Sequence, residues 1–563
     1  MPEKYIYDQT RYFTCDELAV VLRDLAAAFP DLISLSSIGQ SIRGREIWLL
    51  EITAPGRPAA EKPGYYIDAN THAEEVAGTQ VALYTAWYLA TQYGQDAWVT
   101  SLLERQAFYI VPRLDPDGAE IVLTLPTYEW IGNGRYLPGE EQLDRPGLHY
   151  ADVNGDGLIL DMRWPDPAGE WKISGQDPRL LVRRELDDTE GPFYRLIPEG
   201  LIQDFDGAHI PIPRPEDGNL NRNYPADWAP ESQTYGAGQH AASEPEIAAT
   251  VRFIESHPNI CGVLNYHTNA GCLLPPFSVE GQPLPWQDAE LYERIGALGQ
   301  RITGYGFVAS EENFNFRGYP RRRGTSEAYL YGHLGLICLV TELWDVHKEA
   351  GIAKDWFYPL DELSEADNLK LLAWNDRMLN GEAFVPWMPF DHPQLGRVEL
   401  GGWRRIFMFR NPPGKLLPEL CHKNALFTLK HAALAPDLYF GPIEVTPLGV
   451  DTFRVTAVVE NRGFLPTHLT QQAIEMKAIS ACRAKLEADH PSAVEFLDGA
   501  ERDLGHLAGW GERSAHYSRF KDWNPAAHRV TWYVRLLQPG PVSLHAVASA
   551  QKGGTIREEV IMG

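Results

Sequence analysis

Basic residues are scarce in this chain. Its 563 residues include 50 Lys and Arg against 76 Asp and Glu, a formal net charge of −26. No long Lys/Arg-rich block interrupts that balance. Wrapping a polyphosphate or settling on an anionic lipid surface needs basic surface, so neither nucleic acid nor membrane is an expected partner. Long apolar runs are missing too. None reaches the roughly 18 residues of a bilayer-spanning helix, and runs such as residues 334–340 have the length of buried strands. Residues 1–8 contain no apolar stretch of the signal-peptide kind. Cysteine is sparse: six residues (Cys15, Cys261, Cys272, Cys338, Cys421 and Cys482) with no CxxC spacing. In a chain this long that pattern predicts reduced, buried thiols and a cytoplasmic setting, with a Cys261–Cys272 bridge the one pairing left open. Internal repeats and low-complexity tracts are absent. With 44 % hydrophobic and 22 % charged residues the chain is globular rather than disordered.

Up to about residue 388, helix and strand signals alternate. Residues 14–29 have helical period, with Leu18, Val21, Leu22, Leu25 and Ala28 on one face and Thr14 as N-cap. Residues 46–52, 65–69, 107–111, 262–266 and 335–341 read as short apolar strands, and 79–93, 245–256, 291–305 and 365–380 as helices. Continuous apolar strands between helices predict an α/β sheet covered on both faces. Residues 124–240 are rich in Pro, Gly, Asp and Arg and read as a long irregular insertion. Beyond 388 helical period nearly vanishes. Residues 427–429, 442–445, 452–459, 530–537 and 542–549 read as strands, and 471–488 as the exceptional helix. The expected organisation is a catalytic domain over 1–388 and a β-rich, sandwich-like accessory domain over 389–563.

Four spots carry chemistry. They are His72-Ala-Glu-Glu75 after the strand at 65–69, the Asn219–Tyr224 segment NLNRNY, His267 after the strand at 262–266, and Glu342 after the strand at 335–341. Three of the four stand at the C-terminal ends of apolar strands, where open α/β sheets bind ligands. His72 and Glu75, three residues apart, can face one metal ion, and His267 supplies a third ligand. Two imidazoles and one carboxylate leave zinc a free coordination position, and Glu342 would serve as general base. Each spot alone has a structural reading: a chance HxxE, a hydrogen-bonded core histidine, a solvated strand-end acid, a surface loop. Their joint order along the chain favours chemistry.

Over about residues 10–385 the sequence resembles the zinc carboxypeptidases of the carboxypeptidase A/B type. The resemblance lies in FPDLISLSSIGQSIRGREIWLLEIT, YYIDANTHAEE, YIVPRLDPDGAE, GNLNRNY, SEPE and GLICLVTELWD. It implies a mixed, mostly eight-stranded sheet flanked by helices, a zinc cofactor, and hydrolysis of a peptide bond next to a free C-terminal carboxylate. His72, Glu75 and His267 match the zinc ligands and Glu342 the catalytic glutamate. Asn221 and Arg222 match the pair that grips the substrate's terminal carboxylate, which a guanidinium fork suits. Counting along the segment Ala328-Tyr-Leu-Tyr331 gives Tyr319 as the substrate-capping tyrosine. The oxyanion-stabilising arginine falls in the insertion; Arg163 is the first choice and Arg135 the alternative. Two other readings are an amidase acting on a cell-wall or acylated amino-acid substrate, and a metal-binding interaction protein without turnover. The oligomeric state is open.

The chain departs from the family pattern at two positions. Asn219 stands where an Asp usually orients the first zinc histidine, which predicts weaker zinc retention. Glu74 stands where an Arg usually follows His-x. The position at the base of the specificity pocket falls on Glu327, which suits a basic C-terminal side chain unless Arg321, Arg322 or Arg323 neutralises it. A calcium loop is also read: Asp152, Asn154 and Asp156 place oxygen donors at positions 1, 3 and 5, Leu158 adds a carbonyl and Asp161 a carboxylate. The competing reading is a plain Asx-rich turn.

Overall fold

The computed structural model describes residues 5–137, 145–213, 218–276, 283–309, 314, 321–353, 363–512 and 525–563. At its centre lies an eight-stranded mixed sheet. In chain order its strands are β1 (Ile33–Gln40), β2 (Glu46–Ile52), β3 (Gly64–Ala69), β4 (Ala107–Val111), β5 (Ile260–Thr268), β6 (Cys272–Leu274), β7 (Gly306–Phe307) and β8 (Ile337–Leu343). They are arranged β1-β2-β4-β3-β5-β8-β6-β7. The neighbours β4, β3, β5 and β8 run parallel and are buried along their whole length. A parallel strand covered on both faces must be apolar throughout, which explains runs such as AFYIV and ICLVTEL. Helices α1 (Cys15–Ala28), α2 (Ala77–Gln92), α3 (Pro245–Ser256), α4 (Trp286–Thr303) and α5 (Leu417–Ala432) pack against this sheet. Thr14 and Glu17 close a reciprocal capping box at the start of α1.

Helix α5 moves the expected division at residue 388. Met408, Leu417, Leu420, Phe427 and Leu429 belong to the core of the first layer, not to that of the C-terminal region. Residues 427–429, expected as a strand, lie inside α5. Its helical period is hidden in the sequence because α5 packs against both α2 and α4, which spreads buried side chains around the helix. The insertion differs from expectation as well. Asp161–Pro165, Trp171–Ile173, Leu181–Arg183 and Tyr194–Pro198 join Phe384–His392 and Gly396–Trp403 in a six-stranded sheet. These strands are short, and the hairpin that pairs with Asp161–Pro165 lies more than two hundred residues downstream, so local periodicity could not reveal them.

From Leu438 onward a five-stranded and a four-stranded sheet enclose a separate core that includes Val455, Val459, Leu486, Trp532 and Leu544. The helix expected over 471–488 is limited to Gln471–Glu475, and Cys482–Ala488 is a strand. This region docks closely on the first: Lys552 Nζ donates to Ile260 O at 2.8 Å and Arg57 Nη1 to Thr555 O at 3.0 Å. No disulfide joins any of the six cysteines, Cys261 and Cys272 included.

Candidate active site

Strand register brings the site together. β5 and β8 are parallel with His267 opposite Glu342, and β3 flanks β5 on its other side with Ala69 opposite Tyr266. The carboxyl edge of the sheet therefore gathers His267, Glu342 and the loop leaving β3. Asn70 turns that loop at φ 59°, a left-handed conformation that Asn tolerates better than most residues. Its Nδ2 donates to His72 O at 2.8 Å and Ala73 O at 3.1 Å, while its Oδ1 accepts from Thr79 Oγ1 at 3.2 Å. The pinned loop aims His72 and Glu75 at His267.

Their donor atoms converge. His72 Nδ1 is 2.8 Å from Glu75 Oε1 and 3.2 Å from His267 Nδ1, and His267 Nδ1 is 2.9 Å from Glu75 Oε2. Ligands at zinc's usual bond lengths in a tetrahedron sit about 3.4 Å apart. Two imidazole nitrogens facing each other and one carboxylate are a donor set for a cation, and the residues present fit zinc. His72 Nε2 lies 3.2 Å from Asn219 Oδ1. Donation of the Nε2 proton to that carbonyl leaves the Nδ1 lone pair facing the site. Among the described residues, this triad is the group of His, Cys, Asp or Glu with ligand geometry.

The charges are coupled. Burial would raise the Glu75 carboxyl, but the His72 and His267 imidazoles more than offset it and hold Glu75 below the usual carboxylate range. Glu342 is 9 % exposed. Burial first, then the Glu75 carboxylate, push the Glu342 carboxyl up, against the pull of His267, Arg322 and Arg410. A raised carboxyl is a stronger proton acceptor.

Asn221 and Arg222 stand on the short turn Leu220–Arg222 beside this centre. Asn221 Oδ1 accepts from Ser326 N at 2.8 Å, and the Arg222 charge acts on His72. Gly324, at φ +64°, lets the 324–327 loop approach closely: a Cβ there would meet Arg222 O at 2.3 Å. Glu327 follows in that loop and lines a cleft of about 1050 Å³ with Thr325, Tyr331 and Gln472. Arg321 and Arg323 both pair with Asp227, at 2.7 and 2.8 Å, and Arg321 and Arg322 line the same cleft as Glu327. Tyr331 is a packing residue, its hydroxyl donating to Asp288 at 2.7 Å. Tyr319 lies outside the described residues.

Two expectations are corrected by geometry. Arg163 lies in the six-stranded sheet, its Nε 2.8 Å from Glu399 Oε2 and its guanidinium 4.3 Å from the Trp387 ring centre. It packs that sheet and is not an oxyanion residue; the insertion had obscured its place. Arg135, the alternative, is also held by an ion pair. Its Nη2 donates to Glu244, which also accepts from Asn133 and lies next to Gly218, the residue before Asn219. The proposed calcium loop is a self-satisfied turn. Asp152 accepts from the backbone of Gly155, Asp156 and Gly157, Asn154 from Asp156 and Asp156 from Leu158. Asp161 turns away to Tyr128 and Arg405. Calcium is not supported.

One site residue escaped the sequence reading. Arg410 reaches the loop after β3, its Nε 2.9 Å from Glu74 Oε1. No motif marks it. The available signal was Glu74 itself, since a buried acid where the family has a base requires a counter-charge.

Two histidines and a glutamate with converging donor atoms, at the carboxyl edge of an eight-stranded α/β sheet with a buried glutamate alongside, form a candidate metal centre of hydrolase type. The zinc carboxypeptidase family model matches residues 18–368, and the chain belongs to that family. Residues 437–561 match a domain of unknown function, DUF8731. Carboxypeptidase D of Anas platyrhynchos is 38 % identical over 112 residues, 20 % of this chain but only 8 % of that protein's length. An inactive metallocarboxypeptidase, ECM14 of Ajellomyces capsulatus, is 28 % identical over 162 residues, 28 % of this chain and 24 % of its own. The solved thrombin-activatable fibrinolysis inhibitor shares 15 % identity at a TM-score of 0.43, covering 75 % of this chain and 74 % of that one. The cytoplasmic expectation is corrected: nothing in these matches to carboxypeptidases supports it. No helix among the described residues is long and apolar enough to cross a membrane.

Proposed function

We propose that this chain is a zinc-dependent metallocarboxypeptidase that hydrolyses the last peptide bond of a substrate with a free C-terminal carboxylate. The observation that carries the proposal is the convergence of His72, Glu75 and His267 donor atoms within 3.2 Å of one another, with Glu342 in register beside His267. His72, Glu75 and His267 would hold zinc, which supplies Lewis-acid activation of water and of the scissile carbonyl. Asn221 and Arg222 bind the terminal carboxylate and set the scissile bond against Glu342. Glu342 accepts the proton of the attacking water and returns it to the leaving amine. A peptide-library digest read by mass spectrometry, with and without a zinc chelator, tests this. Single-residue trimming from the C-terminus, abolished by the chelator, is expected. Cleavage only of acylated or γ-linked substrates would transfer the assignment to the amidase reading.

Glu327 in the cleft supports a preference for a basic terminal residue. Wild type is expected to favour terminal Lys or Arg over Leu, and Glu327→Ala to lower that ratio about 10-fold. An unchanged ratio in the same digest would remove Glu327 from the pocket. Asn219→Asp is expected to tighten zinc about 10-fold, because a carboxylate holds the His72 Nε2 proton more firmly than an amide. Competition with a chromogenic chelator measures it, and equal affinities would separate Asn219 from metal retention.

A further inference from the structure

Glu74 is 2 % exposed, and a carboxylate so buried needs a cation. Arg410 supplies it from the turn Ile406–Arg410, forty residues past the end of the family match. The turn is fastened to the metal-site loop by its neighbour: Asn411 Nδ2 donates to Glu74 O at 2.7 Å, and Asn411 Oδ1 accepts from Ala77 N at 2.9 Å. The Arg410 guanidinium is bound on two sides, by Glu74 at Nε and by Asn269 Oδ1 at 3.1 Å from Nη1. Asn269 is two residues beyond His267, so Arg410 bridges the loop of His72 and Glu75 and the segment that follows β5. It keeps 26 % exposure, and its Nη2 has no hydrogen bond to the described residues. Burial opposes its charge, and Glu74, Glu129, Glu75 and Glu342 together more than offset that.

We infer that Arg410 is a substrate-positioning residue, whose outward N–H groups bind a peptide carbonyl oxygen on the acyl side of the scissile bond. The inference rests on the carboxypeptidase reading above. Asn221 and Arg222 stand with the 324–327 loop, whereas Arg410 stands with Glu74 and Asn269. Arg410 is near enough to Glu342 for the two charges to act on each other, so a peptide with its scissile bond at Glu342 and its terminal carboxylate on Arg222 can bring its acyl part against Arg410. Two guanidinium N–H groups fixed in a plane offer a charge-assisted hydrogen bond to that oxygen at little entropic cost.

The test is titration calorimetry on the zinc-loaded full chain with two ligands. One is a tetrapeptide whose last amide is reduced to a secondary amine; the other is the free terminal amino acid, which reaches only the carboxylate-binding side. Arg410→Ala is expected to weaken the tetrapeptide about 10-fold and leave the amino acid unchanged, with Arg410→Lys recovering part of the loss. In turnover of the parent tetrapeptide KM should rise more than kcat falls. Equal weakening of both ligands together with lost zinc would make Arg410 a structural partner of Glu74 and overturn the inference, as would unchanged tetrapeptide affinity. Wild-type protein that neither cleaves the parent peptide nor binds either ligand would instead bring down the carboxypeptidase reading itself.

Discussion

Glu342→Gln is expected to lower kcat by about 10²- to 10⁴-fold, with KM and zinc content near those of wild type. Glu342 closes β8 in register with His267, so its carboxylate position is set by the sheet rather than by a loop. Gln has almost the same shape and fills the same space. What it lacks is the capacity to accept a proton from water. Burial and the nearby Glu75 carboxylate raise the Glu342 carboxyl, which strengthens it as a base. A loss confined to kcat is therefore the signature of a proton-transfer role. A variant that matches wild type in every peptide assay would show that turnover does not pass through Glu342. It would favour the reading as a silent metal-binding protein.

The convergence of His72, Glu75 and His267 was legible because its constraints are local. An HxxE after one apolar strand and a His closing another place both at the same sheet edge, whatever the rest of the chain does. The central strands were legible for a related reason, since parallel strands buried on both faces carry unbroken apolar runs. What failed was what depends on distant partners. Arg163 took the oxyanion role only because the insertion hid the alignment; its neighbours Glu399 and Trp387 come from more than two hundred residues away. Helix α5 concealed its period by being covered on more than one side, and the division at 388 followed from that. The Asp152–Asp156 turn illustrates the opposite hazard. Its spacing matched a calcium loop, yet its oxygens accept backbone N–H groups of the turn itself, and Asp161 is turned to Tyr128 and Arg405. Spacing shows which donors are near one another, not where they point.

His267→Ala is expected to release zinc and abolish peptide trimming together. Zinc held by four protein ligands binds with about 10–16 kcal/mol, or roughly 3 kcal/mol per ligand, so removing one of three should weaken binding at least about 10²-fold. The remaining pair, His72 and Glu75, are held together at 2.8 Å by their own short turn and would keep a weak site. Inductively coupled plasma mass spectrometry of the purified variant after dialysis measures the loss directly. His267 is 2 % exposed inside β5, so a folded control is needed. His267→Asn supplies it, retaining a polar group of smaller size at the same strand position. If both variants give a cooperative thermal transition but dialyse free of zinc, His267 is a ligand. If either retains zinc at the wild-type ratio, the convergence of the three donors reflects hydrogen bonding alone, and the assignment of the metal centre fails.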